Sequence, residues 1–285
     1  LKPTKVLAKV PSQFLKSSLV AGIVFSMPAF AKPDNLTLTG DFRQGHLIQG
    51  KVQPGSQVSL DGKSVYVGPK GQFVFGFGRD AKPTSQVKVI LPNNQTITKT
   101  LNVQQRSYKE QKINGVEKKY VSPPKSTLAR IKKDNARIKD ARSVVDMRYD
   151  FQEQAIIPTK GPISGVYGSR RIFNGVPKWP HFGLDIAAKT GSKVVAPLPG
   201  KVTLADPDLY YSGGTIVVDH GFGITTTYLH LSKLKVKEGQ WVKKGDLIGL
   251  VGATGRVTGP HLDIRLNWQQ VRLDPAILFP SLATK

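Results

Sequence analysis

Along residues 33–105 apolar and polar positions alternate with a period of two, and turn residues interrupt the pattern every few positions. Residues 36–40, 45–52, 57–60, 64–67, 71–77, 86–91 and 95–103 each read as a short strand. Pro54-Gly55, Asp61-Gly62 and Pro92-Asn93-Asn94 punctuate them. Asp-Gly is a strong hairpin signal, because both central turn positions need a positive φ. Short strands at this spacing predict a small β-sandwich. It shows no recognisable site, and its one histidine, His46, reads as structural or surface.

The pattern changes over residues 106–154. Arg106 to Tyr120 are polar and basic, and Pro123-Pro124 breaks the chain. From Ser126 to about Tyr149, Leu128, Ile131, Ile138, Val144 and Val145 recur at helical spacing without Gly or Pro, with Ser126 as the expected N-cap. The expectation is a basic linker carrying a connector helix that packs on one or both neighbouring domains. A basic helix can also lie on an anionic membrane, but this apolar face is sparse. Whether residues 106–150 cover a groove in a latent form is left open by the sequence.

Period-two alternation returns over residues 155–280. Strands are expected at 192–196, 200–205, 214–218, 225–229 and 246–251, with a final pair at 262–266 and 270–272. The predicted fold class is therefore mainly β. It comprises a small β-sandwich domain (33–105), a linker with a connector helix (106–154), and an antiparallel-sheet domain with a groove (155–280).

The N-terminus narrows the setting. Lys2, Lys5, Lys9 and Lys16 precede the apolar run 19–25, followed by Ala29-Phe30-Ala31. That order predicts a secretory signal peptide over residues 1–31, and the run is too short for a comfortable membrane span. Lys and Arg outnumber Asp and Glu by 42 to 19 in the 285 residues, a formal charge of +23. A basic surface favours polyanions. Export to a periplasm or cell envelope excludes nucleic acid as the expected partner and points to anionic envelope polymers. The chain has no cysteine. It lacks a disulfide framework, and any metal site must be built from imidazole and carboxylate.

Three stretches carry those ligand types: His181-Phe182-Gly183-Leu184-Asp185, Tyr228-Leu229-His230, and Gly259-Pro260-His261-Leu262-Asp263. His181 and Asp185, four apart, can both turn inward. In a strand, His261 and Asp263 share a face. A set of His181, Asp185 and Asp263 would leave His230 and His261 beside the ion, able to move protons or stabilise an oxyanion. That inventory suits metal-assisted amide hydrolysis. His220 and Asp219 read as structural, the second as a turn residue. Tyr210 and Tyr211 sit between strands and are candidates for the groove wall. Arg170 and Arg171 are candidates for meeting a substrate carboxylate, and Arg265 for pairing with an acid near the site.

Residues 160–279 resemble the M23 (LytM, or lysostaphin-type) zinc metallopeptidases. The resemblance is carried by Gly168-Ser169-Arg170-Arg171, Pro180-His181-Phe182-Gly183-Leu184-Asp185, Val218-Asp219-His220-Gly221, Tyr228-Leu229-His230-Leu231-Ser232, Gly252-Ala253-Thr254-Gly255 and Thr258-Gly259-Pro260-His261-Leu262. Residues 33–105 also resemble the β-rich domain that precedes the peptidase in some envelope members. The resemblance implies one Zn²⁺ per chain and an exported endopeptidase that cuts peptidoglycan peptides through a zinc-activated water. It implies His181 and Asp185 as ligands and His230 and His261 as the catalytic pair. Asp263 departs from the family pattern, which has a third zinc ligand, His, at that position. A carboxylate there can still bind zinc, but it lowers the charge of the centre, so weaker zinc binding or slower turnover is expected. Two other functions compete. One is a catalytically impaired LytM-like regulator that binds or activates a cell-wall amidase. The other is a wall-binding module.

Overall fold

The computed structural model describes residues 36–283 and the first residue, so the expected signal peptide otherwise lies outside the described residues. Among the described residues no helix is long and apolar enough to cross a membrane. The fold is mainly β, as the alternation predicts. In the N-terminal region, Leu36–Thr39, Leu47–Val52 and Gln72–Gly76 form one antiparallel sheet. Lys63–Val65, Gln57–Leu60, Thr84–Ile90 and Thr96–Asn102 form a second, in that order. Asp61 and Gly62 take φ of 48° and 78°, the positive values that the hairpin signal demanded. Thr84–Ile90 buries one face, with Ser85, Val87 and Val89 pointing inward, whereas Gln72–Gly76 is buried on both.

The C-terminal region is built on an antiparallel sheet of eight strands, beside a smaller one of Lys193–Val195, Leu247–Leu250 and Lys233–Leu234. The order of the larger sheet is Trp241–Val242, Gly200–Leu209, Gly213–Asp219, Ile224–Leu231, His261–Trp268, Leu184–Ala187 and Ile163–Gly165, with Val271–Leu273 also on His261–Trp268. One face packs Leu184, Ile216, Val218, Tyr228, Leu262 and Ile264 into a dry core. The other carries Thr227, Asp263 and Arg265.

The two regions share apolar contacts. Phe73, Phe75, Val87 and Val89 belong to the same buried cluster as Phe222, Ile224, Leu266, Trp268 and Leu273. Phe222 is its hinge: Tyr66, Tyr149 and Phe151 ring it at centroid distances of 5.5, 4.9 and 5.9 Å. This packing fixes one end of the strands Ile224–Leu231 and His261–Trp268, whose other ends carry the site.

The connector differs from its expectation in three ways. The helix runs over Leu128–Ala141 and stops well before Tyr149. Its last turn tightens, with the Arg142 and Ser143 amides donating to the Lys139 and Asp140 carbonyls and the Ser143 hydroxyl capping Lys139. Past it, Arg148 gathers Asp146, Asp150 and Asp219, and residues 146–149 lie outside any helix before the short 3₁₀ turn Asp150–Gln152. At the other end Ser126 lies in a 3₁₀ turn, Lys125–Thr127, and the helix has no side-chain N-cap bond. Finally, Glu110–Ile113 is a strand, paired in parallel with Arg170–Phe173. The helix itself packs Ile138 and Ala141 on Leu204, Leu209 and Val217. Val217 is in register with Thr227, and Thr227 with Arg265. The helix therefore covers the polar face of the sheet at the edge of the site.

Candidate functional site

Strand register builds the centre of the site. Asp185 on Leu184–Ala187 lies directly opposite Asp263 on His261–Trp268. Both are buried, at 5 and 2 % exposure. Two facing carboxylates repel each other, and burial removes the water that would screen them, so cations must answer them. Arg171 donates to Asp185 Oδ2 at 2.8 Å. Arg265, two residues along the strand on the same face, donates from Nη2 to Asp263 Oδ2 at 2.7 Å and from Nε to Oδ1 at 3.1 Å. Burial pushes the Asp263 carboxyl up, but Arg265 and then His181 outweigh it and hold it far below the usual carboxylate range. Asp185 is likewise held low: burial opposes it, while His181 and Arg171 prevail.

His181 completes the group. Its backbone is pinned by its amide to the Ser169 carbonyl at 2.9 Å and by its carbonyl to the Gly168 amide at 2.7 Å. Its Nε2 lies 3.0 Å from Asp185 Oδ1. Ligand atoms of His181, Asp185 and Asp263 all fall within 4.8 Å of one another. Two glycines make this approach possible. A Cβ at Gly183 would stand 1.9 Å from Asp263 Oδ1, and one at Gly165 would stand 2.1 Å from Asp185 Oδ2.

These residues fit a divalent metal. His181 Nε2 and Asp185 Oδ1 are buried and, among the described residues, have only each other within reach, at 3.0 Å. One imidazole and two carboxylates are suitable donors for zinc. Arg171 and Arg265 do not preclude this, since a carboxylate offers about four lone-pair sites and metal-bound carboxylates are commonly hydrogen-bonded from outside. Arg265 does compete for Asp263 charge, however, and weakens the donor it holds.

The remaining imidazoles lie alongside. His261 Nε2 is 3.9 Å from Asp185 Oδ1, and the His230 and His261 ring centroids are 5.0 Å apart. His261 Nδ1 meets the Gly259 carbonyl at 2.9 Å, and His230 Nδ1 meets the Thr254 carbonyl at 2.8 Å. A carbonyl only accepts, so each Nδ1 carries a hydrogen, and in the neutral form of either ring Nε2 is the free acceptor. Burial pulls the His230 pKa down to about 4, which keeps it neutral near pH 7. His230 also breaks the alternation of its strand. Leu229 shares the face of Asp263 through direct pairing, so strict alternation would turn His230 away. Its left-handed backbone, φ 65°, goes with a side chain that also lines the groove. Non-glycine residues in that region are uncommon and concentrate at functional sites.

The groove above this centre has a volume of ≈ 1070 Å³ and is lined by His181, His230, Asp263 and Arg265 on the sheet side. Connector residues Tyr120, Val121, Ile138 and Arg142 form the facing wall. Two candidates for substrate contact sit elsewhere. Arg170 is exposed and points away from the lining, because successive strand residues face opposite ways and Arg171 takes the inward place. Tyr210 is buried, with its hydroxyl donating to the Lys119 carbonyl at 2.8 Å and its ring against Tyr120. It braces the connector, while Tyr211 lines the groove. His220 is wholly buried between the Pro199 carbonyl at 2.6 Å and Thr226 Oγ1 at 2.7 Å, well suited to a structural role.

Neither the connector wall nor the carbonyl partners Thr254 and Gly259 could be read from residue type, since backbone acceptors leave no mark on it. Gly165 and Gly183 could have been noticed as glycines beside the motif.

Residues 179–275 match the model of peptidase family M23. Two Vibrio cholerae proteins, the peptidoglycan DD-endopeptidases ShyB and ShyA, are similar to this region. ShyB is 47% identical over 83 residues, 29% of this chain and 19% of that protein. ShyA is 41% identical over 111 residues, 39% of this chain and 26% of that protein. The matches thus span about a quarter or less of these relatives. Among solved structures, a Pseudomonas aeruginosa protein assigned to peptidase M23 superposes with a TM-score of 0.65 at 27% identity, covering 84% of this chain and 95% of that one.

Proposed function

We propose that this chain, whose residues 179–275 belong to peptidase family M23, is a zinc endopeptidase that cuts the peptides of bacterial peptidoglycan. The observation that carries the reading is the convergence of His181, Asp185 and Asp263 within 4.8 Å, with two imidazoles beside them. His181 Nε2, Asp185 Oδ1 and the Asp263 carboxylate would hold the metal. Bound zinc would supply a Lewis acid that polarises a carbonyl and acidifies a water.

The chain's own groups supply the proton handling. His230 and His261 each present Nε2 as an acceptor, with Nδ1–H committed to a backbone carbonyl. The carbonyl fixes the tautomer and the ring orientation, so no reorganisation is needed as a proton arrives. Arg171 and Arg265 hold the two carboxylates against their mutual repulsion. Arg265 also makes Asp263 a weaker donor, so zinc affinity or turnover below that of a two-imidazole site is part of the proposal.

The matched relatives are described as DD-endopeptidases, and the same bond class is proposed here. Cleavage of peptidoglycan would require the chain to act in the cell envelope, where its positive charge would hold it to anionic polymers. The test is metal analysis of the purified protein followed by digestion of purified peptidoglycan. Stoichiometric zinc and chelator-sensitive release of cleaved peptides are expected. Metal-free protein with no products would replace this reading with binding only, as in a regulator of a cell-wall amidase.

A further inference from the structure

The groove carries more positive charge than the two carboxylates need. Arg142, Arg171, Arg256, Arg265 and Arg272 line it, and only Arg171 and Arg265 are in ion pairs among the described residues. Arg142 is the unusual member. It is 3 % exposed, comes from the connector, and reaches across to Thr227 Oγ1 at 3.2 Å. Its Nε is buried with no partner among the described residues. A buried cation left unpaired is strongly unfavourable, and a hydroxyl is a weak answer to it. Arg256 lies over the Tyr211 and Phe173 rings, at 4.6 and 5.0 Å, and Arg272 lies over Phe182 at 5.4 Å. Aromatic faces hold these guanidiniums in place and leave their N–H edges free.

We propose that Arg142, with Arg256 and Arg272, forms a carboxylate-binding subsite that holds a free carboxylate of the peptide substrate beside the reactive centre. The planar fork of a guanidinium matches a carboxylate with two parallel hydrogen bonds. Burial lowers the pKa of all three arginines, to about 10 for Arg256 and Arg272, and positive neighbours add to it, Arg272 and then Arg265 for Arg142 and Arg265 for the other two, so an arriving anion relieves repulsion already present. The inference rests on the peptide-substrate reading and deepens it by adding a charge requirement.

The test avoids turnover. Full-length chain carrying His261→Ala is titrated calorimetrically with the tetrapeptide L-Ala-γ-D-Glu-L-Lys-D-Ala, and with the same peptide amidated at both free carboxylates. The free acid is expected to bind about tenfold tighter or more, the scale of a charge-assisted pair. Arg142→Gln is expected to reduce that ratio to about twofold. Arg256→Gln, nearer the groove mouth, should reduce it as well and serves if Arg142→Gln does not fold. Equal affinity for acid and amide, or an undiminished ratio in the variants, overturns the proposal. Thermal unfolding without peptide separates ligand holding from fold support: Arg142→Met should raise Tm by removing an unpaired buried charge, and a lower Tm would assign Arg142 to the fold and overturn the proposal. Peptidoglycan digestion without discrimination sinks this inference alone. Discrimination without digestion sinks the hydrolase reading alone.

Discussion

The two walls of the groove are built on opposite principles. The sheet wall holds His181, His230 and Asp263 on paired strands and tight loops, where register alone sets Asp185 against Asp263, and Asp185 and His261 line the adjoining cavity that shares His230. The connector wall consists of short elements, Glu110–Ile113, Lys118–Val121 and Leu128–Ala141, joined by loops. One wall carries the chemistry and is rigid because hydrogen bonds on both sides fix each strand. The other carries shape and charge, and is anchored by a few contacts such as Ile138 on Leu204 and the Tyr210 hydroxyl on Lys119. Substitutions in the first wall should therefore abolish the proposed reaction, and those in the second should alter which peptides are held.

The largest expected effect breaks the first wall. His261→Ala removes a proton acceptor and should lower turnover of peptidoglycan by about a thousandfold, within the range for a general base. Zinc stoichiometry measured in parallel should stay unchanged, because the ring lies beside the proposed ligand set. Loss of zinc together with activity would instead make His261 a ligand.

The next effect tests whether both walls hang on one core. Phe222 packs against Tyr66 from the N-terminal region and against Tyr149 and Phe151 from the connector. Phe222→Ala should destabilise by about 3–5 kcal/mol, as aromatic-to-alanine changes in cores do. The described region should still melt in a single transition. Two separate transitions in denaturant would show the N-terminal region folding independently of the sheet.

These contrasts follow how legible each part was in the sequence. The strands of the N-terminal region could be read nearly to the residue, because alternation and Asp61-Gly62 are local signals. The site was legible for the same reason: His181, Asp185, His261 and Asp263 act through side-chain chemistry at fixed spacing. Arg265 as the partner of Asp263 follows from strand alternation. The connector was not legible. Glu110–Ile113 is a four-residue polar strand whose partner, Arg170–Phe173, lies far along the chain, and no local pattern encodes a parallel pairing of that range. The helix was read too long because Val144 and Val145 continue its apolar spacing, while Arg148 draws the following residues to Asp146, Asp150 and Asp219. Arg170 and Tyr210 were placed at the groove from proximity in sequence, whereas pleat direction and the Lys119 carbonyl decide otherwise. His230 lies at a left-handed position that residue type does not announce.

A somewhat smaller effect reads the seam between the walls by pH. Burial lowers the His220 pKa to about 4, and the Phe151 amide of the connector donates to the His220 carbonyl at 3.3 Å. Between about pH 6.5 and pH 4 the unfolded chain binds a proton at this residue that the folded chain refuses. The stabilisation is therefore complete above about pH 6.5 and is lost as pH falls toward 4, about 3 kcal/mol in all. His220→Gln should flatten the fall of unfolding free energy with acid by about one proton over this window. His230, held near pH 4 as well, would retain part of the slope. An unchanged slope in denaturant melts at stepped pH would mean that His220 is protonated in the folded chain.

The smallest effect sharpens the chemistry of the first wall. Asp263 and Arg265 form a self-contained ion pair on the same strand face, at 2.7 Å. A metal at this site must share the carboxylate with a guanidinium that already takes both oxygens. Asp263→His would exchange that shared anion for a neutral nitrogen donor and leave Arg265 without its acid. Zinc should gain from the better donor and lose from the unpaired cation nearby, so the single substitution should change affinity little, by about threefold or less. Asp263→His combined with Arg265→Met removes the repulsion and should tighten zinc binding by about tenfold, on the scale reported for changes beside metal ligands. Competition against a zinc chelator measures both. A tenfold gain from Arg265→Met alone, with Asp263 kept, would place the weakness of the site in the guanidinium and not in the carboxylate. Equal affinity in all three variants and the parent chain would mean that neither residue faces the metal.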